Sequence, residues 1–293
     1  MSPSARAQLQ IHACVLLWGF TAILGKLISL PAFVLVWWRM LLVVAALLLW
    51  PGFWRGLAQL NARLLGIYAG IGIIVALHWL TFYGAIKLAN ASVAAVCMAF
   101  APVFVALVEP PLVGRRFELR ELLIAVAAIP GVALVVGGTP ADMQIGILIG
   151  AVSAGLAALF GTLNKRYVTH ADPIVVTGVE LAAGTLFLTA AAPLLPGAAG
   201  SLTVPGLNDA VLLLVLSYVC TLLPFALSLV ALRELSAFSA QLAVSLEPIY
   251  AIVLAIVLLG EQRELSPAFY VGVVIVLLAV VAHPALTRRH YAG

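Results

Sequence analysis

The sequence predicts an all-α polytopic membrane protein of ten transmembrane helices, arranged as two inverted five-helix repeats. Three observations predict it. Of the 293 residues 65% are hydrophobic and only 9% charged, with a mean hydropathy of +1.20; a water-soluble domain needs polar loops and helix faces that this composition does not supply. The charges fall in short clusters separated by apolar runs of about 20 residues, the length that crosses a bilayer. Finally, AFAPVFVALVEPPLVGRR (99–116) recurs as SLEPIYAIVLAIVLLGEQ (245–262), with Pro102 and Gly114 falling on Pro248 and Gly260, 146 residues later in both cases.

Apolar runs between charge and turn signals place the spans near 9–29, 32–50, 64–86, 91–113, 119–137, 143–164, 173–194, 207–231, 236–259 and 267–285. The first follows Arg6; Trp18 and Lys26 interrupt its apolar run and no small-x-small cleavage site follows, so a retained helix is expected rather than a signal peptide. The second stops at Pro51–Gly52, and the third lies between Arg63 and Lys87. The fourth carries Pro102 and ends at Gly114. The fifth starts near Arg120 and stops at Gly137–Gly138–Thr139–Pro140, dividing the chain into repeats 1–140 and 141–293. The sixth ends at Lys165–Arg166, the seventh opens at Pro173 and closes before Pro196–Gly197, and the eighth runs from Pro205–Gly206 to Arg233. The ninth carries Pro248 and ends at Gly260, and the tenth precedes Arg288–Arg289. No connection is long enough for another folded domain.

Lys and Arg outside the helix interiors set the orientation. With the N-terminus in the cytoplasm, the inner side receives Arg6, Arg55, Arg63, Arg115, Arg116, Arg120, Lys165, Arg166, Arg233, Arg288 and Arg289, and the outer side only Lys26, Lys87 and Arg263. Both termini are therefore expected in the cytoplasm, with the protein in the plasma (inner) membrane. Five spans per half is an odd number, so the second half enters the bilayer upside down relative to the first. The excess of 15 Lys+Arg over 11 Asp+Glu reports orientation, not nucleic-acid binding. Cys14, Cys97 and Cys220 lie inside apolar runs and read as free thiols.

Trp18–Gly19 in the first span, Arg39 in the second, and the Pro102…Gly114 and Pro248…Gly260–Glu261 helices, in that order, resemble the EamA branch of the drug/metabolite transporter superfamily over essentially the whole chain. Arg115 departs from the pattern, which often has Glu after this glycine, as Glu261 retains. The resemblance implies ten spans in two halves and a metabolite carrier without ATP hydrolysis, often an exporter of amino acids or related small molecules.

Ionisable residues inside a span are costly and usually face a cavity or a partner. Four stand out. Glu247 lies mid-membrane before Pro248, on a helical face with Ser236, Ala240, Ala243 and Tyr250; it suits a substrate ammonium or a coupling proton, against a purely structural acid. Arg39 suits substrate-carboxylate recognition or a fold-holding contact. His78 reads as a proton relay or as a neutral ring donating to a backbone carbonyl. Glu180 reads first as a partner for a nearby basic group. Cys14, Trp18, Thr21 and Gly25 share one face of the first span; Trp79 and Tyr83 stand one turn apart in the third; Ser153, Phe160 and Asn164 lie on one side of the sixth. Tyr218, Thr221, Phe225 and Ser228 share a face in the eighth.

The expected substrate-binding set is Trp18, Arg39, His78, Trp79, Tyr83, Tyr218, Glu247 and Tyr250, with Glu247 and His78 as proton-coupling candidates and Pro102 and Pro248 as bending elements. Gly66/Gly70 and Gly146/Gly150 are expected at close helix packing. These features point to a secondary transporter, since duplicated membrane units are a common way to build a carrier whose two halves rock about a central site. The alternatives are a membrane-embedded lipid-modifying enzyme and a membrane receptor. An enzyme is disfavoured because Asp142, Asp172 and Asp209 are scattered in expected loops and no metal-binding spacing occurs; ATP pumping is disfavoured because no phosphate-binding loop occurs. No catalytic residue, metal or cofactor is expected. The expected partners are a small-molecule substrate, the lipid bilayer, a proton as coupling ion and a second copy of the chain in a homodimer.

Overall fold

The computed structural model describes residues 3–114, 116–117, 129–194, 204–244 and 246–287. Every regular element among them is helical. They are α1 (Pro3–Leu27), α2 (Ala32–Leu48), α3 (Pro51–Leu57), α4 (Ala62–Leu88), α5 (Ala91–Met98), α6 (Ala101–Val113), α7 (Ile129–Gly137), α8 (Gln144–Tyr167) and α9 (Pro173–Ala191). Then follow α10 (Leu207–Glu234), α11 (Ala237–Val244), α12 (Glu247–Leu259) and α13 (Pro267–Thr287).

Among the described residues six helical segments are individually long and apolar enough to cross a bilayer, and the α2–α3 pair makes a seventh if taken as one span. The expected ten are therefore not matched one for one. The second span ends where expected, α2 stopping at Leu48, and Pro51 opens α3 at 92° to it. Trp50 and Trp54 are exposed there and the Trp54 indole donates to Leu48 O at 2.8 Å, a placement that suits the membrane–water boundary. The ninth span is described as two short helices, α11 and α12, with a turn at Leu246 ahead of α12. Of the fifth span only Ile129–Gly137 is described; Arg115, Arg120, Arg288, Arg289 and Pro196–Gly197 lie outside the described residues.

The duplicated helices share their local construction. Asn90 caps α5 by accepting from Val93 N, and Ser236 caps α11 by accepting from Ser239 N, both at the same 146-residue offset. The Pro102 and Pro248 rings supply no N–H, so the hydrogen-bond ladder is interrupted just before them, by turns at 99–100 and at Leu246. Each proline stands in the first turn of the helix that follows, while Ala91–Val113 as a whole remains one span long enough to cross a bilayer. Gly114 and Gly260, at φ 78° and 71°, are the only described residues with positive φ, and a left-handed glycine terminates each half-helix.

Helix α8 joins the two ends of the bundle. Near its start, Glu261 bonds Ala91 N and Ser92 N, Asn90 bonds Glu264, and Ser29 bonds Asp209. Near its finish, Arg166 donates to Leu112 O, Lys165 to Leu232 O and Arg233 to Ala171 O. Its 24 residues span about 36 Å at 1.5 Å each. The equivalent segments that end at Gly114 and Gly260 therefore lie at opposite ends, the relation that inversion requires. Close packing holds α8 in place: a Cβ on Gly146 or Gly150 would come within 2.7 Å of Ala89 Cβ or Cys97 Sγ. Gly66 and Gly70 have nothing within 4 Å of that position, so the close-packing expectation fails for that pair, which faces away from the chain's other helices. All three cysteines are buried free thiols.

Candidate functional site

Pro224 in α10 has no N–H to give the carbonyl one turn earlier, and α10 widens into a π-helical stretch at Val215–Leu222. Arg39 of α2 occupies the gap. Its Nη2 reaches Cys220 O at 3.5 Å, Nε donates to Thr221 Oγ1 at 2.6 Å and Nη1 to the Tyr83 hydroxyl at 2.8 Å. The guanidinium carbon lies 3.8 Å from the Trp79 ring centroid, a cation–π distance. Arg39, 2% exposed, is thus a strut between α2, α4 and α10, which favours the fold-holding alternative.

His78 of α4 meets Ser153 of α8. Its Nδ1 is 3.0 Å from Ser153 O and 2.9 Å from the Ser153 hydroxyl, which is itself 3.0 Å from His78 O; a carbonyl can only accept, so the arrangement that satisfies all three groups has Nδ1–H directed to Ser153 O and the hydroxyl donating to His78 O. The neutral ring then has Nε2 as its acceptor. It packs 5.2 Å from Phe160. This is the geometry of the histidine donating to a backbone carbonyl.

Glu247 differs from both. Pro248 places it in the first turn of α12, where the helix dipole favours a carboxylate. It is 6% exposed, and no hydrogen bond or ion pair to it occurs among the described residues. It borders a cavity of about 110 Å³. Aromatic walls come from Trp18, Trp79, Phe82, Phe160 and Phe225, and polar groups from Thr21, Arg39, His78, Asn164, Ser228 and Glu247. The lining continues to Ile11, Asn164 and Leu232, toward the end that holds Lys165 and Arg233. At the other end Glu261, 1% exposed, accepts from Ala91 N, Ser92 N and the Ser92 hydroxyl at 2.7–3.0 Å, tying α12's end to the start of α5.

Residues 6–137 and 144–282 match the model of the EamA-like transporter family. The chain belongs to that family. This EamA-like chain is accordingly a multi-pass membrane protein of a transporter family. A solved crystal structure of a protein superposes at TM-score 0.68 with 18% identity, covering 97% of this chain and 98% of the other, a likeness that shows the fold alone. Among curated proteins none matches.

In this EamA-like chain, Trp18, Arg39, His78, Trp79 and Glu247 of the expected set meet at the cavity. Three tyrosines do not line it. Tyr83 is fully buried, holding Arg39 and packing where a Cβ on Gly25 would strike its ring. Tyr218 donates to Leu42 O at 3.2 Å. Tyr250 is 40% exposed and packs where a Cβ on Gly19 would come within 3.0 Å of its own Cβ. Phe82 was not singled out, although its position one turn after His78 carries the signal. Glu180 finds no basic partner among the described residues. Asp172 lies before α9 as expected and caps it, accepting from Ile174 N, whereas Asp209, expected in a loop, lies in the first turn of α10 and accepts from Ser29.

Proposed function

We propose that this chain is a secondary transporter that exports small amphipathic metabolites, amino acids or related amines, by alternating access across the plasma membrane. The observation that carries the reading is the Glu247 carboxylate, buried yet without a hydrogen bond or ion pair among the described residues, bordering a cavity walled by aromatic rings. A carboxylate so placed suits an ammonium group, and the rings suit the apolar body attached to it. Arg39 is already engaged by Thr221 and Tyr83, so Glu247 has first claim on the ligand's charged end.

The breaks at Pro102 and Pro248 are candidate hinges, since half-helices can change angle without breaking a continuous hydrogen-bond ladder. With the Lys/Arg-rich end in the cytoplasm, the cavity lining runs toward the inner side and the Glu261 contacts close the outer side. The test is counterflow in proteoliposomes with a panel of amino acids and arylalkylamines. Glu247→Gln is expected to slow counterflow at least tenfold, because a hydrogen bond to a charged group is worth about 1.5–3 kcal/mol. Unchanged counterflow in that variant would remove Glu247 from the mechanism, and no counterflow with any panel member in wild type would remove the substrate class.

A further inference from the structure

Glu180 of α9 lies outside the cavity lining and has no part in the function above. It is fully buried, with one contact from Asn164 Nδ2 at 3.4 Å to Oε2, while Oε1 has no partner. Asn164 borders the cavity, and its own Oδ1 also lacks a partner. Two touching side chains therefore each present an orphaned acceptor, and an unmade buried hydrogen bond is costly.

The charged and titratable groups on the helices around α9 are engaged elsewhere. On α4, the Tyr68 hydroxyl donates to Tyr167 O, His78 bonds Ser153, Tyr83 holds Arg39, Lys87 donates to Ile28 O and Arg63 is exposed. On α10, Arg233 donates to Ala171 O and Glu234 is exposed; on α8, Lys165 and Arg166 donate to Leu232 O and Leu112 O. Arg39 of α2 is engaged by Thr221, and Arg55 of α3 is exposed. The missing donor is one hydrogen atom. A neutral carboxyl pairs with a primary amide through two complementary bonds, O–H to Oδ1 and Nδ2–H to the carboxyl carbonyl; a carboxylate can make only the second.

We propose that Glu180 and Asn164 form a proton-binding site beside the substrate cavity, with Glu180 carrying the proton and Asn164 linking it to cavity water. On release, the Glu180 O–H bond breaks, its electron pair stays on the carboxylate and the proton passes to water; binding is the reverse. The proposal adds a driving ion to the carrier reading but uses no substrate assignment.

The test is infrared spectroscopy of the full chain in lipid vesicles, with pH as the only variable. Wild type and Glu247→Gln are expected to show a titrating carboxyl C=O band that Glu180→Gln loses. Asn164→Leu is expected to keep that band but shift its frequency upward, as the carboxyl loses its amide partner. A band unchanged in Glu180→Gln, or lost in Glu247→Gln instead, overturns the proposal. Because no transported compound is present, this result is independent of whether counterflow succeeds.

Discussion

The α5–α6 and α11–α12 segments are built alike and carry different chemistry. Both start at a side-chain cap, break before a proline and stop at a left-handed glycine. Yet Glu247 falls on Ala101 in the first half, and Glu261 falls on Arg115. The same holds across the rest of the chain at this offset: Arg39 falls on Thr185, His78 on Pro224 and Glu180 on Val34. The duplicated positions set backbone shape, whereas the charged groups of the interior occur in one copy only. Backbone breaks need a proline or a glycine in each half to keep the halves related, but one cavity between them needs each charge only once.

The comparison is tested most severely at Arg39 and Thr185. Arg39→Met removes the donors to the Thr221 and Tyr83 oxygens and to the Cys220 carbonyl, so a loss of about 3 kcal/mol in unfolding stability is expected. The Thr185 hydroxyl donates to Leu181 O of its own helix, and Thr185→Val is expected to cost less than about 1 kcal/mol. Thermal unfolding in detergent would compare them; equal losses would deny Arg39 its role as a strut.

A smaller difference is expected between the two helix starts. Glu261→Ala removes the acceptor from two backbone N–H groups and a hydroxyl, with an expected cost of about 2 kcal/mol. Ser236→Ala removes one capping bond at the opposite end and is expected to cost about 1 kcal/mol. If the order reversed in unfolding experiments, the Glu261 contacts would not be what closes that end.

Least of all should separate the two glycines. Neither Gly114 nor Gly260 has an atom within 4 Å of an added Cβ, so only the left-handed backbone penalises a side chain there, by about 1 kcal/mol. Gly114→Ala and Gly260→Ala are expected to lower the melting temperature equally. Unequal shifts would mean that the two terminators are not structural equivalents.

Much of the fold was legible because its signals are local. Apolar runs, Pro102, Pro248, Gly114 and Gly260 act on residues within one or two helical turns, so the span positions and their breaks follow from neighbours in the chain. The site was legible only in part. Trp18, Trp79, His78 and Glu247 read correctly as groups of one interior region, since intramembrane polarity marks them wherever they pack. Tyr250 did not: it stands one turn beyond Glu247 in α12 but packs against Gly19 of α1 and is 40% exposed, outside the cavity lining.

The amino-acid order alone determined that this chain is a doubled, lipid-embedded helical protein, through hydropathy and recurrence. Tertiary structure alone decided what each buried polar group does. Arg39 meets Thr221 across 182 residues and Glu261 meets Ala91 across 170; Glu247, with an equally polar side chain, makes no hydrogen bond or close ion pair among the described residues. Hydropathy states the cost of burying a charge, and only packing of distant helices determines which charges are met by the protein and which are left for a ligand.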